Sequence, residues 1–238
     1  MKKHIPNTIT IFNLLSGTFG IISVLEGNLI LGSIMMGCGL IFDFFDGFIA
    51  RLLKVSSPEG KELDSLADVV TFGLLPTIIM FKLMMGFACT SGKCTGIIPT
   101  DYFPYTSFVI VAFSALRLAR FNVDERQTDS FIGLPTPSAA MVIGSIPLIM
   151  KYQPQFNDLI LLPKVLLSLS LILSFLLIAE LPLLALKFKN YSWKDNSYRY
   201  FLLVLSVILL ITLKFFAFPC IILSYILLSY VYNNRNKQ

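Results

Sequence analysis

Residues 43–68 read DFFDGFIARLLKVSSPEGKELDSLAD, and the aspartates in this stretch, Asp43, Asp46, Asp64 and Asp68, decide what kind of fold the chain can adopt. They punctuate sequence that is otherwise largely apolar. Asp43 and Asp46 are three apart, so on a helix they share a face with Gly47 and Ala50. Asp64 and Asp68 are four apart and share a face of the next helix. An ionised carboxylate at mid-depth in a bilayer costs roughly 2.5–3.5 kcal/mol, and several such groups together demand compensation. Oxygen-only ligands on two facing helices suit a hard divalent cation such as Mg²⁺ or Mn²⁺, which takes octahedral oxygen coordination. A single aspartate pair would read as a solvated helix end or the partner of a nearby Lys or Arg. Two facing pairs around a polar, Gly-containing loop are not explained that way.

Outward from this stretch the chain is membrane-like. It is 55% hydrophobic and 14% charged, with a mean hydropathy of +0.77, whereas soluble domains carry about 25% charged residues. The composition predicts an all-α polytopic integral membrane protein. Windows of about 20 apolar residues, enough to span a bilayer as a helix, consume nearly the whole length, so no separate soluble domain and no nucleic-acid partner are expected. Eight spans are predicted, over about 8–24, 29–53, 61–85, 103–121, 138–150, 164–186, 200–213 and 215–232. The first lacks a small-residue cleavage site and is read as retained. Fourteen of the 19 Lys and Arg fall on one side of this arrangement; the other side holds Lys82, Lys93, Lys151, Lys164 and Lys214. The positive-inside rule therefore places both termini and the aspartates at the cytoplasmic side.

Other residues stand out against this background. Thr10, Asn13, Gly17 and Gly20 share a face of the first span. The glycines read as helix-packing positions, and Asn13 as a ligand contact, since a buried amide needs partners. Thr71 shares the face of Asp64 and Asp68, while Gly73 and Pro76 suggest close packing or a kink. SALRLARFN places Ser114, Arg117 and Arg120 on one face near Asn122. Arginines there serve as snorkelling anchors or as forks for phosphate or carboxylate. Cys89 and Cys94 share a loop and are able to pair in an oxidising compartment, whereas Cys38 and Cys220 read as ordinary apolar-helix residues. Glu180, in the sixth span, reads either as a buried helix partner or as a channel residue.

The spacing D-x-x-D-G-x-x-A-R-x8-G-x3-D-x3-D, filled by Asp43, Asp46, Gly47, Ala50, Arg51, Gly60, Asp64 and Asp68, resembles the signature of the CDP-alcohol phosphatidyltransferases at every position. The resemblance implies a single domain over 1–238, with a six-helix core over about 1–186 and an extra C-terminal pair over about 200–232. It implies two divalent ions, Mg²⁺ or Mn²⁺, bridging the pyrophosphate of a CDP-linked lipid. Asp43, Asp46 and Asp64 are then metal ligands. Asp68 is the base for the acceptor hydroxyl and is able to touch a metal as well. Asn13, Gly47, Arg51, Gly60 and Ser65 are expected around the CDP-diacylglycerol, with Gly47 leaving room for the nucleotide.

The flanks, with SLADVVTFG at 65–73, LRLARFN and FIGLPTPSAA, are similar to the branch of that family that transfers the phosphatidyl group to L-serine. That branch implies phosphatidylserine and CMP as products, in phospholipid biosynthesis, by a homodimer in the cell inner membrane. Thr71, Arg117, Arg120 and Asn122 are the expected serine and phosphate contacts. Sibling enzymes using glycerol 3-phosphate or inositol phosphate are the nearest alternative. A cation or solute transporter is the alternative of a different class, but it predicts repeats and acids at the bilayer midplane, and neither is seen.

Overall fold

The computed structural model describes residues 4–90, 92, 94–95, 98–99, 102–123, 131–184 and 193–235. Of the residues used above for charge bias, Lys2, Lys3, Lys93, Arg126, Lys187, Lys189 and Lys237 lie outside that set. So does the side chain of Cys94, while Cys89 is disulfide-bonded and Cys38 and Cys220 are free. The architecture is all-α apart from antiparallel ladders of two residues per strand.

Helices α1 (His4–Leu25) and α2 (Leu29–Leu53) form an antiparallel hairpin that turns at Gly27, where φ is +95°. Asn28 caps α2 by accepting from the Leu31 N–H at 3.0 Å. Ser16 Oγ donates across the hairpin to the Met35 carbonyl at 2.7 Å. Helix α2 ends at Lys54 in the left-handed region. After a short loop, Ser57 accepts from the Gly60 N–H at 3.0 Å and Pro58 occupies the first turn, the usual way to start a helix. This start lies three residues before the expected one.

The expected third span is realised as α3 (Pro58–Asp68), a π-helical turn (Val69–Leu74) and α4 (Leu75–Thr90). Pro76 explains the wide turn. Its ring would clash with the carbonyl four residues back in an α-helix and it has no N–H to donate. The chain opens instead, and the Leu75 N–H reaches the Val70 carbonyl. Gly73 and Pro76 thus mark a widened turn directly after Asp68.

A 3₁₀ turn (Phe103–Phe108) leads into α5 (Val109–Val123), and α6 (Thr136–Tyr152) runs through the centre of the bundle with most of its residues buried. Helices α7 (Asn157–Ile160) and α8 (Pro163–Ile178) belong to segments bent by 76° from each other. Helix α8 stops well short of residue 186. The FIGLP segment docks on its end: the strand Phe131–Ile132 pairs with the strand Pro182–Leu183, and the Leu134 N–H meets the Leu176 carbonyl at 2.9 Å. Gly133, at φ +78°, passes so close that an added Cβ would stand 2.7 Å from the Leu177 carbonyl oxygen. Glu180 therefore lies beyond the helix, exposed, and is not a buried helix partner.

Helices α9 (Trp193–Leu213) and α10 (Ala217–Arg235) fold back on each other at Lys214, where φ is +50°. The rings of Tyr198 and Tyr232 are 5.3 Å apart; in one straight helix they would be about 50 Å apart. Among the described residues, five helices can cross a membrane by length and composition, or six if the bent pair is one span. That count takes Asn196–Asn233 as one run, and α6 has 17 residues, just below such a length. Burial fits a bilayer solvent. Thr10, Asn13, Asp46, Asp68 and Thr71 are buried, while Phe19, Phe44, Leu52, Phe175 and Ile211 are exposed.

Gln153 ties the hairpin to the bundle. Its buried side chain donates to the Leu213 carbonyl at 2.9 Å and accepts from the Phe216 N–H at 3.1 Å. Gln153→Leu, which fills similar space without either bond, is expected to destabilise the fold by about 1–3 kcal/mol. A lowered melting temperature of the purified protein in detergent checks this; an unchanged one refutes the anchoring role.

Candidate active site

Helices α2 and α3, both packed against α1, bring the aspartates together. Asp43 on α2 and Asp64 and Asp68 on α3 each offer an oxygen, all within 4.8 Å of one another. Asp64 Oδ1 is buried and has no hydrogen-bond partner. The charges of Asp43, Asp64 and Asp46 all act on Asp68. A cluster of oxygen donors with an unmet buried lone pair and mutual repulsion fits a hard divalent cation. Asp46 is placed differently. Its Oδ2 accepts from Thr10 Oγ1 on α1 at 2.6 Å, and it lies outside the three-carboxylate group.

Beside the cluster lies a cavity of about 180 Å³ between the ends of α1, α2 and α3, lined by Thr10, Asp46, Gly47, Gly60, Lys61 and Asp64 among others. Gly47 presents open space there: an added Cβ would meet only the Arg51 guanidinium, at 3.6 Å. Gly60 faces Asn7, whose Oδ1 would be 3.0 Å from an added Cβ. The site thus gains residues that sequence reasoning passed over. Thr10 had been grouped with Asn13 by helical spacing but given no role, and neither Asn7 nor Lys61 had been assigned to the site.

The remaining expected residues divide. Asn13 does not line the cavity; its Nδ2 donates to Asp68 Oδ1 at 3.2 Å. Thr71, expected against substrate, is fully buried with its hydroxyl on the Asn13 carbonyl at 3.0 Å. Ser65 and Asn122, expected at different subsites, meet each other: Asn122 Nδ2 donates to Ser65 Oγ at 2.9 Å, and Lys61 Nζ donates to the Asn122 carbonyl at 2.9 Å. These bonds clasp the end of α5 to α3. Arg51 and Arg120 are exposed. Arg117 is buried, donates to Thr136 Oγ1 at 3.3 Å, and stands 5.2 Å from the Phe121 ring centre; its charge acts on Asp68. Ser114, one turn earlier, keeps a buried hydroxyl without a partner.

Fold and site together define an integral membrane protein with an acidic, oxygen-only centre at one end of a helical bundle. The profile of the CDP-alcohol phosphatidyltransferase family matches residues 3–211, and the chain belongs to that family of membrane phosphotransferase enzymes. A CDP-diacylglycerol–serine O-phosphatidyltransferase of Bacillus subtilis is 34% identical over 141 residues, covering 59% of this chain and 73% of the relative. One from Helicobacter pylori (strain J99) is 34% identical over 140 residues, covering 58% and 54%. An archaetidylserine synthase of Methanothermobacter thermautotrophicus is 32% identical over 145 residues, covering 59% and 56%. The chain thus spans about three-quarters of the Bacillus relative and about half the length of the other two.

Mn²⁺ titration of purified protein followed by electron paramagnetic resonance tests the cluster. Asp64→Asn is expected to weaken Mn²⁺ binding at least tenfold, because one charge and an anionic ligand disappear together. Equal binding by the variant would remove Asp64 from the ligand set.

Proposed function

We propose that this enzyme transfers the phosphatidyl group of CDP-diacylglycerol to the hydroxyl of L-serine, giving phosphatidylserine and CMP. The observation that carries the reading is the convergence of Asp43, Asp64 and Asp68 within 4.8 Å beside a cavity whose wall is opened by Gly47 and Gly60. The relatives described above support serine as acceptor, since the word stands in each of their names.

Asp43, Asp64 and Asp68 would hold the divalent metal, Mg²⁺ or Mn²⁺, with Asp46 completing the acidic wall. A divalent ion held there would supply positive charge to the pyrophosphate and to the charge developing on the departing CMP. The protein supplies the rest. Gly47 and Gly60 admit the nucleotide, and Lys61 offers a cation at the cavity wall. Asp68 takes the proton of the serine hydroxyl as the oxygen forms a bond to the phosphorus of the phosphatidyl group; the bond from that phosphorus to the CMP oxygen breaks. Arg117, buried and already steered by Thr136 and Phe121, is the cation for the serine carboxylate. Ser114 offers its unmet hydroxyl one turn away. Arg120, being exposed, is left to phosphate or the membrane surface.

In this reading the site faces the cytoplasm, as the Lys and Arg distribution suggests, so serine and CMP exchange with water while the acyl chains stay in the bilayer. The 1–186 core carries the chemistry, the C-terminal hairpin is accessory, and the enzyme works as a homodimer.

Purified protein given CDP-diacylglycerol, Mn²⁺ and radiolabelled serine, glycerol 3-phosphate or inositol phosphate is expected to label lipid from serine alone. Label from glycerol 3-phosphate and none from serine overturns the assignment. Asp68→Asn is expected to abolish turnover while liponucleotide binding persists. Arg117→Ala is expected to raise the KM for serine by tenfold or more, with the KM for CDP-diacylglycerol little changed.

A further inference from the structure

Asp68, at the hydroxyl-activating end of the site, is buried, and its contact from α1 is a neutral amide. Asn13 is fully buried, and its Nδ2 lies 3.2 Å from Asp68 Oδ1. Its own Oδ1 is buried without a partner. The orientation follows from the carboxylate: an ionised Asp only accepts, so the NH₂ end must face it and the carbonyl end is left over. The leftover oxygen points toward Gly39, where an added Cβ would stand 3.0 Å from it and would collide with the Thr71 methyl. Thr71 sits on the π-turn that follows Asp68 directly, and its hydroxyl grips the Asn13 backbone carbonyl at 3.0 Å. Gly17, one turn beyond Asn13, leaves the space that Thr71 occupies. Side chain and backbone of one residue thus join α1 to both ends of the segment from Asp68 to Thr71.

We infer that Asn13 is the positioning residue for Asp68, and that Thr71 on the π-turn holds Asn13 in place for that task. The amide N–H occupies one carboxylate oxygen and sets the rotation of the group, so that the other oxygen is turned toward metal and acceptor hydroxyl. A neutral donor does this without supplying a positive charge to compete with the metal. The inference replaces a liponucleotide contact as the role of Asn13, and it rests on the proposal that Asp68 works on the acceptor.

The test uses full-length protein in lipid–detergent micelles, with CDP-diacylglycerol, Mn²⁺ and whichever acceptor supports wild-type turnover. If wild type uses an acceptor other than serine, the serine reading fails while this test proceeds unaltered. N13A is expected to lower kcat 10- to 100-fold with the KM for CDP-diacylglycerol within twofold of wild type, and to broaden or shift the Mn²⁺ resonance as the carboxylate is freed to rotate. Unchanged kcat, or a raised KM for the liponucleotide at unchanged kcat, overturns the inference. Should N13A fail to fold, T71V and T71S decide. T71V is expected to lose three- to tenfold in kcat, and T71S, which keeps the hydroxyl, to recover most of it at the same melting temperature. Equal rates for T71V and T71S overturn the inference as well.

Discussion

Three carboxylates within 4.8 Å of one another, inside helices whose outer faces are apolar, set the terms for everything around them. Two unit charges at that distance repel by roughly 3–4 kcal/mol at an effective dielectric of 20. Three such pairs approach the whole stability of an ordinary domain, about 5–15 kcal/mol. Dipoles alone do not balance this. Thr10 serves Asp46 and Asn13 serves Asp68, yet Asp64 Oδ1 is left bare. The arrangement makes physical sense as a seat for divalent cation.

Helix α1 is what allows such a seat to be assembled. One stripe of it does two jobs at once. Thr10 and Asn13 supply neutral donors to aspartates on two different helices, and Gly17 and Gly20 lie so close to the π-turn and α4 that any side chain there would strike Thr71 and Leu75. Close approach and hydrogen bonding are linked here, because the donors reach the carboxylates only if the backbones are near. The π-turn contributes the other half. It widens the helix after Asp68, so that Thr71 meets α1 while Pro76 is accommodated without a lost bond inside a regular turn.

Much of this was legible beforehand, and the boundary of legibility is itself physical. Helical spacing alone groups Asp64 with Asp68, and Thr10 with Asn13, because residues three and four apart share a face whatever surrounds them. Spacing does not say which aspartate meets which neighbour, so Asp46 turning to Thr10 was invisible. Spacing does not name the neighbours of Thr71 either, since its burial depends on Gly17 and Gly39 from two other helices. The long sixth span was misjudged for a similar reason. Residues 179–186 are apolar enough to continue a helix, but the FIGLP segment competes for the end of α8 through backbone bonds that hydropathy does not register. Ser65 and Asn122 likewise met each other, being 57 residues apart.

The choice of a neutral amide beside Asp68, with the buried arginine on α5, shows how the site separates two demands. A lysine or arginine in ion pair with Asp68 would satisfy the carboxylate so well that it would bind metal weakly and accept a proton poorly. An amide orients the group and leaves its charge intact. The positive charge is held instead on Arg117, whose direction is set by Thr136 and Phe121, near enough to act on Asp68 yet tied to a separate helix. A cation so placed is available to an anionic acceptor arriving beside the carboxylates, so the acidic centre and the basic one each keep a partner still to be supplied by substrate or metal.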